Sequence, residues 1–214
     1  MYGNASPFAI GNDRNGNVFV GGVFPTGHPD DGTAALYPAV VKYASDGQEL
    51  WIRPYTPLKG DVEIYHLTVA NDGSAVTLAG KTLTPQRCFG AFALAFSGNG
   101  MLIRMHQSLL PAGYLSSVAR FANLTEDNRF LMVEELSPMP AERFQEKSVL
   151  ALSWSDMNGH DQRLYAYPHS SEYGGWVAPR ACLRIPDSIF HCGRVPISEH
   201  ESAFMVVSFP YPLP

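Results

Sequence analysis

The sequence predicts an all-β chain of four tandem, four-stranded, up-and-down units. This is the plan of a β-propeller of about four blades with the last one incomplete; a β-sandwich is the alternative. Three observations predict it. Apolar residues recur at period two in four separate registers, and alternate side chains of a strand share one face. Asn- or Asp-led turns recur at Asn15, Asp72, Asp127 and Asp187, spaced 57, 55 and 60 residues apart. The 19 Gly and 17 Pro of the 214 residues are dispersed without a period of three, as a chain of many turns requires and collagen does not.

The clearest element is a hairpin, Val40 to Tyr43, a turn at Asp46-Gly47, then Leu50-Trp51. Asp-Gly supplies the positive φ that tight hairpin turns need. The pattern returns as Ala93 to Phe96 with Asn99-Gly100 and Met101 to Ile103, and again as Ala151 to Trp154 with Asn158-Gly159 and Leu164-Tyr165. A fourth copy, Met205 to Phe209, begins it. The aromatic position is Tyr43, Phe96, Trp154 and Phe209; two residues earlier stand Val41, Leu94, Leu152 and Val207. A second hairpin alternates with the first, its second strand being Val18 to Gly22, Val76 to Gly80, Leu131 to Glu135 and Ile189 to Gly193. Short apolar strands precede those turns at Phe8 to Ile10, Leu67 to Val69, Val118 to Phe121 and Cys182 to Ile185. The expected organisation is one domain, 1–214, with repeats at about 5–56, 62–108, 114–168 and 177–214. One small sheet cannot bury both faces alone, and stacking neighbours solves that.

The run Gly16-Asn17-Val18-Phe19-Val20-Gly21-Gly22, then Val41-Lys42-Tyr43, Asp46-Gly47 and Leu50-Trp51 resembles the bacterial β-propeller repeat proteins (SBBP-like), and more loosely quinoprotein-type blades. The first repeat carries the resemblance best. The third departs from it with Glu134-Glu135 where the others end in small residues. The resemblance implies propeller blades and no bound quinone, so no cofactor is expected.

Composition narrows the function. The net charge of −5 and the absence of a Lys/Arg cluster argue against nucleic acid as a partner. No apolar run approaches the ~18 residues of a membrane span. Residues 1–12 have neither a basic nor an apolar signal region, which leaves a cytoplasmic protein and a recloned mature secreted domain as alternatives. Three Cys leave the redox compartment open. The sequence lacks a Gly-x-Ser-x-Gly elbow, a Walker loop and paired Cys-x-x-Cys motifs.

In an up-and-down unit the first-to-second and third-to-fourth strand turns lie at one end. The second-to-third connections and those between units lie at the other. The first set reads as tight turns; the second (24–36, 82–89, 137–147, 196–202, with 56–62, 108–114 and 169–176) reads as longer loops, where function tends to reside. Candidates on that face fall into four groups. His28, Asp30 and Asp31 form a polar loop whose acids also suit turn shaping. Glu199, His200 and Glu201 place two acids around a proton-carrying His. Arg87 and Arg143 follow Pro in successive units and suit bidentate anion binding, or pairing with local acids. Tyr173 and Trp176 offer aromatic faces for sugar or peptide stacking, or a plug between units. None makes a metal motif. Cys88 reads as a free thiol near this face. Cys182 faces His191 if the turn at Pro186-Asp187 has two residues, and Cys192 if it has three.

The expected function is a non-catalytic binding or interaction module, using the long-loop face for a protein or glycan partner. The rivals are a hydrolase or lyase with a polar axial funnel built from His28, Asp30, Arg87, Arg143 and Glu199, and a part of a larger ring. A homo-oligomer that completes the ring or covers the last edge is the partner the incomplete fourth unit would require.

Overall fold

The computed structural model describes residues 5–26, 35–58, 61–125, 129–138, 149–155, 161–166, 178–185, 188–196 and 202–210. Among the described residues there are fifteen strands and no helix. Unit one is β1 (Ser6–Asn12), β2 (Val18–Thr26), β3 (Ala35–Tyr43) and β4 (Glu49–Pro54). Unit two is β5 (Val62–Val69), β6 (Ala75–Leu83), β7 (Phe89–Ser97) and β8 (Leu102–Gln107). Unit three is β9 (Tyr114–Leu124), β10 (Phe130–Pro138), β11 (Val149–Ser155) and β12 (Asp161–Ala166). Unit four is β13 (Ala178–Ile185), β14 (Ser188–Pro196) and β15 (Ser202–Pro210). Pairing within each unit is antiparallel and in sequence order. Units two and three join into one curled, half-barrel sheet of eight strands through a parallel bridge, Phe89 opposite Ser116.

The registers reproduce the predicted phase. Tyr43, Phe96, Trp154 and Phe209 lie opposite Val18, Val76, Leu131 and Ile189. Val41, Leu94, Leu152 and Val207 lie opposite Val20, Leu78, Val133 and His191. Cys182 pairs with His191 and Ile185 with Ser188, the register of a two-residue turn.

Each unit's first strand also carries a bulge that the sequence pattern does not display. The unpaired residue is Phe8, Tyr65, Arg120 and Arg180 in turn. A bulge shifts side-chain alternation by one residue, so Ile64 and Leu67 share a face while His66 and Thr68 take the other. Facing it, Gly22 and Gly80 let the backbones close: a Cβ there would lie 2.4 Å from the Ser6 carbonyl oxygen and 2.0 Å from that of Glu63. Unit three has Glu135 at that position, and its bulge is displaced by one residue relative to the other three.

Unit two is buried on both faces. On β7, Phe92, Leu94 and Phe96 join Leu67, Val76 and Leu78 in a core shared with Phe19, Val23 and Val40 of unit one. The alternating residues Ala91, Ala93 and Ala95 join Ala79, Ala119, Ala122, Phe130 and Met132 in a second core shared with unit three. The two joints are not copies. Phe19 and Met132 are register counterparts, so units one and three turn the same kind of face toward unit two.

Strands run further into the expected loops than the pattern suggested. β2 continues through Phe24 to Thr26, paired with Ala35 to Tyr37, because Phe24 is buried on its own sheet. The expected loop 82–89 contracts to Thr84–Cys88, a tight hairpin between β6 and β7.

Candidate functional site

On the long-loop face a cleft of about 530 Å³ lies between the β6–β7 hairpin and the β8–β9 connection. The hairpin contributes Thr84, Pro85, Gln86 and Cys88; the connection contributes Gln107, Ser108, Leu109 and Leu110. The hairpin is held by the Arg87 amide donating to the Thr84 carbonyl (2.9 Å) and the Thr84 amide donating to the Cys88 carbonyl (2.7 Å). The Cys88 amide also donates to Thr84 Oγ1, at 3.3 Å.

The same two-bond pattern closes the turns at Gly16, Gly47 and Gly100. There glycine holds φ between 79° and 88°. Arg87 occupies the glycine position with φ 60°, the one non-glycine residue at positive φ among those described. That conformation costs an L-residue about 1–2 kcal/mol, and backbone strain of this kind clusters at functional sites.

Behind the cleft, Ser108 is held by its amide to the Ala91 carbonyl (2.9 Å), and its hydroxyl donates to Glu134 Oε1 (2.7 Å). Ser153 donates a second hydroxyl to the same oxygen. Glu134 is fully buried and stands where units one, two and four have Gly21, Ala79 and Cys192.

A second polar cluster ties unit two to unit three. Lys81 Nζ lies 3.0 Å from Glu63 Oε1, and the Tyr65 hydroxyl donates to Glu63 Oε2. Burial works to raise the Glu63 carboxyl, but Tyr65 and Lys81 outweigh it and hold it below the usual carboxylate range. The Arg120 guanidinium lies 4.3 Å from the centre of the Tyr65 ring, and its Nε and Nη2 donate to Glu135 Oε2 at 2.9 and 2.7 Å. Glu135 is buried, so the pair needs these two charge-assisted hydrogen bonds to one carboxylate oxygen to offset desolvation. Among the described residues no group of three His, Cys, Asp or Glu is arranged to hold a metal ion.

Of the predicted site residues, Arg87 is at the tip of the cleft's hairpin and is exposed. His28, Asp30, Asp31, Arg143, Tyr173, Trp176, Glu199, His200 and Glu201 lie outside the described residues. Cys88 is a free thiol lining the cleft, its Sγ donating to the Gln86 carbonyl at 3.7 Å. Sequence reasoning missed Gln86, Gln107, Leu109 and Leu110, which have no motif. It also missed the Ser108–Glu134 pair, whose one sequence signal is an acid at a small-residue position.

No protein-family model matches the sequence, and no curated protein does. The fold is similar to solved structures. One is a chimera of ACO and RPE65 (TM-score 0.52, 8% identity, covering 96% of this chain and 51% of that one). Another is a variant of the Synechocystis apocarotenoid oxygenase (TM-score 0.50, 11% identity, covering 95% and 49%). The chain spans about half the length of each.

Proposed function

We propose that the chain is a set of propeller-type blades serving as a non-catalytic binding module, with a protein segment in the cleft between Thr84–Cys88 and Gln107–Leu110. The observation that carries this reading is the lining itself. Among the described residues it has two amides, two hydroxyls, a thiol, a proline and two leucines, and no carboxylate, imidazole or cation. A catalytic funnel would gather titratable side chains with displaced pKa values; this cleft offers amide donors and acceptors around apolar surface. Leu109, 74% exposed, with Leu83 preceding Thr84 and Leu115 following the connection also exposed, favours an apolar peptide side chain as anchor. A glycan is the less favoured occupant, since sugar stacking uses aromatic faces and the described residues of the lining include none.

The blade reading draws on the four matching registers and on unit two being covered from both sides. Selection of displayed random peptides on the wild-type protein tests the binding reading. Enriched peptides should lose at least tenfold in affinity on Leu109→Asp and on Gln107→Ala. Peptides that bind both variants as well as wild type would refute the site. Glycan binding without peptide binding would refute the choice of ligand.

A further inference from the structure

Units one and two each end in an outer strand, and the two strands treat their open edges differently. Backbone groups along an antiparallel strand point alternately toward the partner and away from it. In unit two the Ser108 amide donates to the Ala91 carbonyl at 2.9 Å, and His106 and Arg104 face Ala93 and Ala95. Met105 and Gln107 therefore turn their amides and carbonyls to the outer edge of β8. Among the described residues no strand other than β7 pairs with β8.

In unit one the matching bond runs from the Tyr55 amide to the Pro38 carbonyl, at 2.8 Å. Pro54 faces Ala39 there as Gln107 faces Phe92 in unit two. Proline thus removes from β4 the outward donor that Gln107 keeps on β8. Proline and charge are the ordinary means of closing a sheet edge to a further strand. β4 has both, in Pro54 and in the exposed Glu49 and Arg53. β8 has no proline and one charged side chain, Arg104. It begins on Leu102 and Ile103, 46% and 41% exposed, and ends at Gln107, which is also part of the cleft wall.

We propose that the outer edge of β8 takes an extended segment of another protein as an added strand, one end of which occupies the cleft. The proposal rests on the cleft reading above and names the form in which the segment binds. A row of outward main-chain donors and acceptors at strand spacing is answered by another extended main chain. A helix cannot answer it, because its own main-chain groups are bonded internally.

Peptides enriched on the wild-type protein are the probe, and amide hydrogen exchange on that protein is the measurement. At saturating peptide the Met105 and Gln107 amides should exchange at least about tenfold more slowly. Arg104 and His106, already bonded to β7, should change less. Unchanged exchange at Met105 and Gln107, with Leu109→Asp still abolishing binding, overturns the added strand and leaves the cleft reading standing. Peptides indifferent to Leu109→Asp refute the cleft reading, and this inference with it. Protection of both amides without peptide, lost on dilution, makes the occupant a second copy and overturns the choice of partner. Paired variants give a second readout. Gln107→Ala and Gln107→Pro both remove the side-chain amide, but only proline removes the outward N–H, at a place where unit one already holds Pro54. Gln107→Pro should bind the peptide about tenfold more weakly than Gln107→Ala, and equal affinities overturn the proposal.

Discussion

His66 makes the joint between units two and three sensitive to acid. Its ring lies 5.0 Å from that of Phe121, and its Nδ1 is 3.3 Å from Thr68 Oγ1, whose hydroxyl donates to the Ala122 carbonyl at 2.9 Å. Burial lowers the imidazole from its ordinary 6.5 to about 4. The folded state thus holds His66 neutral while the unfolded chain protonates it below pH 6.5. The resulting stabilisation is complete above pH 6.5 and is lost as pH falls toward 4. Proton linkage over that interval amounts to about 3 kcal/mol, of which about 2 kcal/mol is lost by pH 5. Urea denaturation of wild type and His66→Gln at pH 7.5 and pH 5 isolates the contribution, because other titrating groups cancel in the comparison. The stability gap between the two proteins should shrink by about 2 kcal/mol on acidification. A gap that stays constant within about 0.5 kcal/mol would refute the buried, neutral assignment.

Four further substitutions, and one added second change, probe the backbone and the polar joint. Arg87→Gly should stabilise the protein by about 0.5–1 kcal/mol, the relief of left-handed strain less the entropy glycine adds to the unfolded chain; a lowered denaturation midpoint would contradict this. Gly80→Ala should cost about 3 kcal/mol because its Cβ meets the Glu63 backbone. Gly47→Ala, with open space around it and φ 88°, should cost about 1 kcal/mol, and equal losses at the two sites would refute the close-approach argument. Arg120→Ala should cost about 2–3 kcal/mol by stranding the buried Glu135 carboxylate, and adding Glu135→Gln should recover part of it in thermal melts.

The repeat was legible because it is written in side chains that alternate: Tyr43, Phe96, Trp154 and Phe209 mark one strand phase, and Gly47 and Gly100 mark its turns. The bulges were not, since Phe8, Tyr65, Arg120 and Arg180 share no residue type, and a bulge is a property of the pairing between strands. The Thr84–Cys88 hairpin read as a longer loop because Arg87 stands where glycine would have announced the turn. The location of the cleft followed from the loop topology, but its lining did not: Gln86, Gln107 and Leu109 carry no motif, and Ser108 meets Glu134 only across 26 residues of chain.

Glu134-Glu135 read in the sequence as decay of the repeat, and the structure gives these residues a role. Where units one and two meet, Gly11 and Gly21 bring two sheets close enough for Leu67 and Leu78 to fill the gap. A glutamate at the Gly21 position of unit three fits no such contact. Instead Glu134 turns to hydroxyls at Ser108 and Ser153, while Glu135 takes the guanidinium of the displaced bulge residue Arg120. Apolar closeness is replaced by hydrogen bonds and an alanine layer, and the two units merge into one curled sheet. Because Ser108 belongs both to this joint and to the cleft, the site's floor is fixed by the place where the repeat departs from its own pattern.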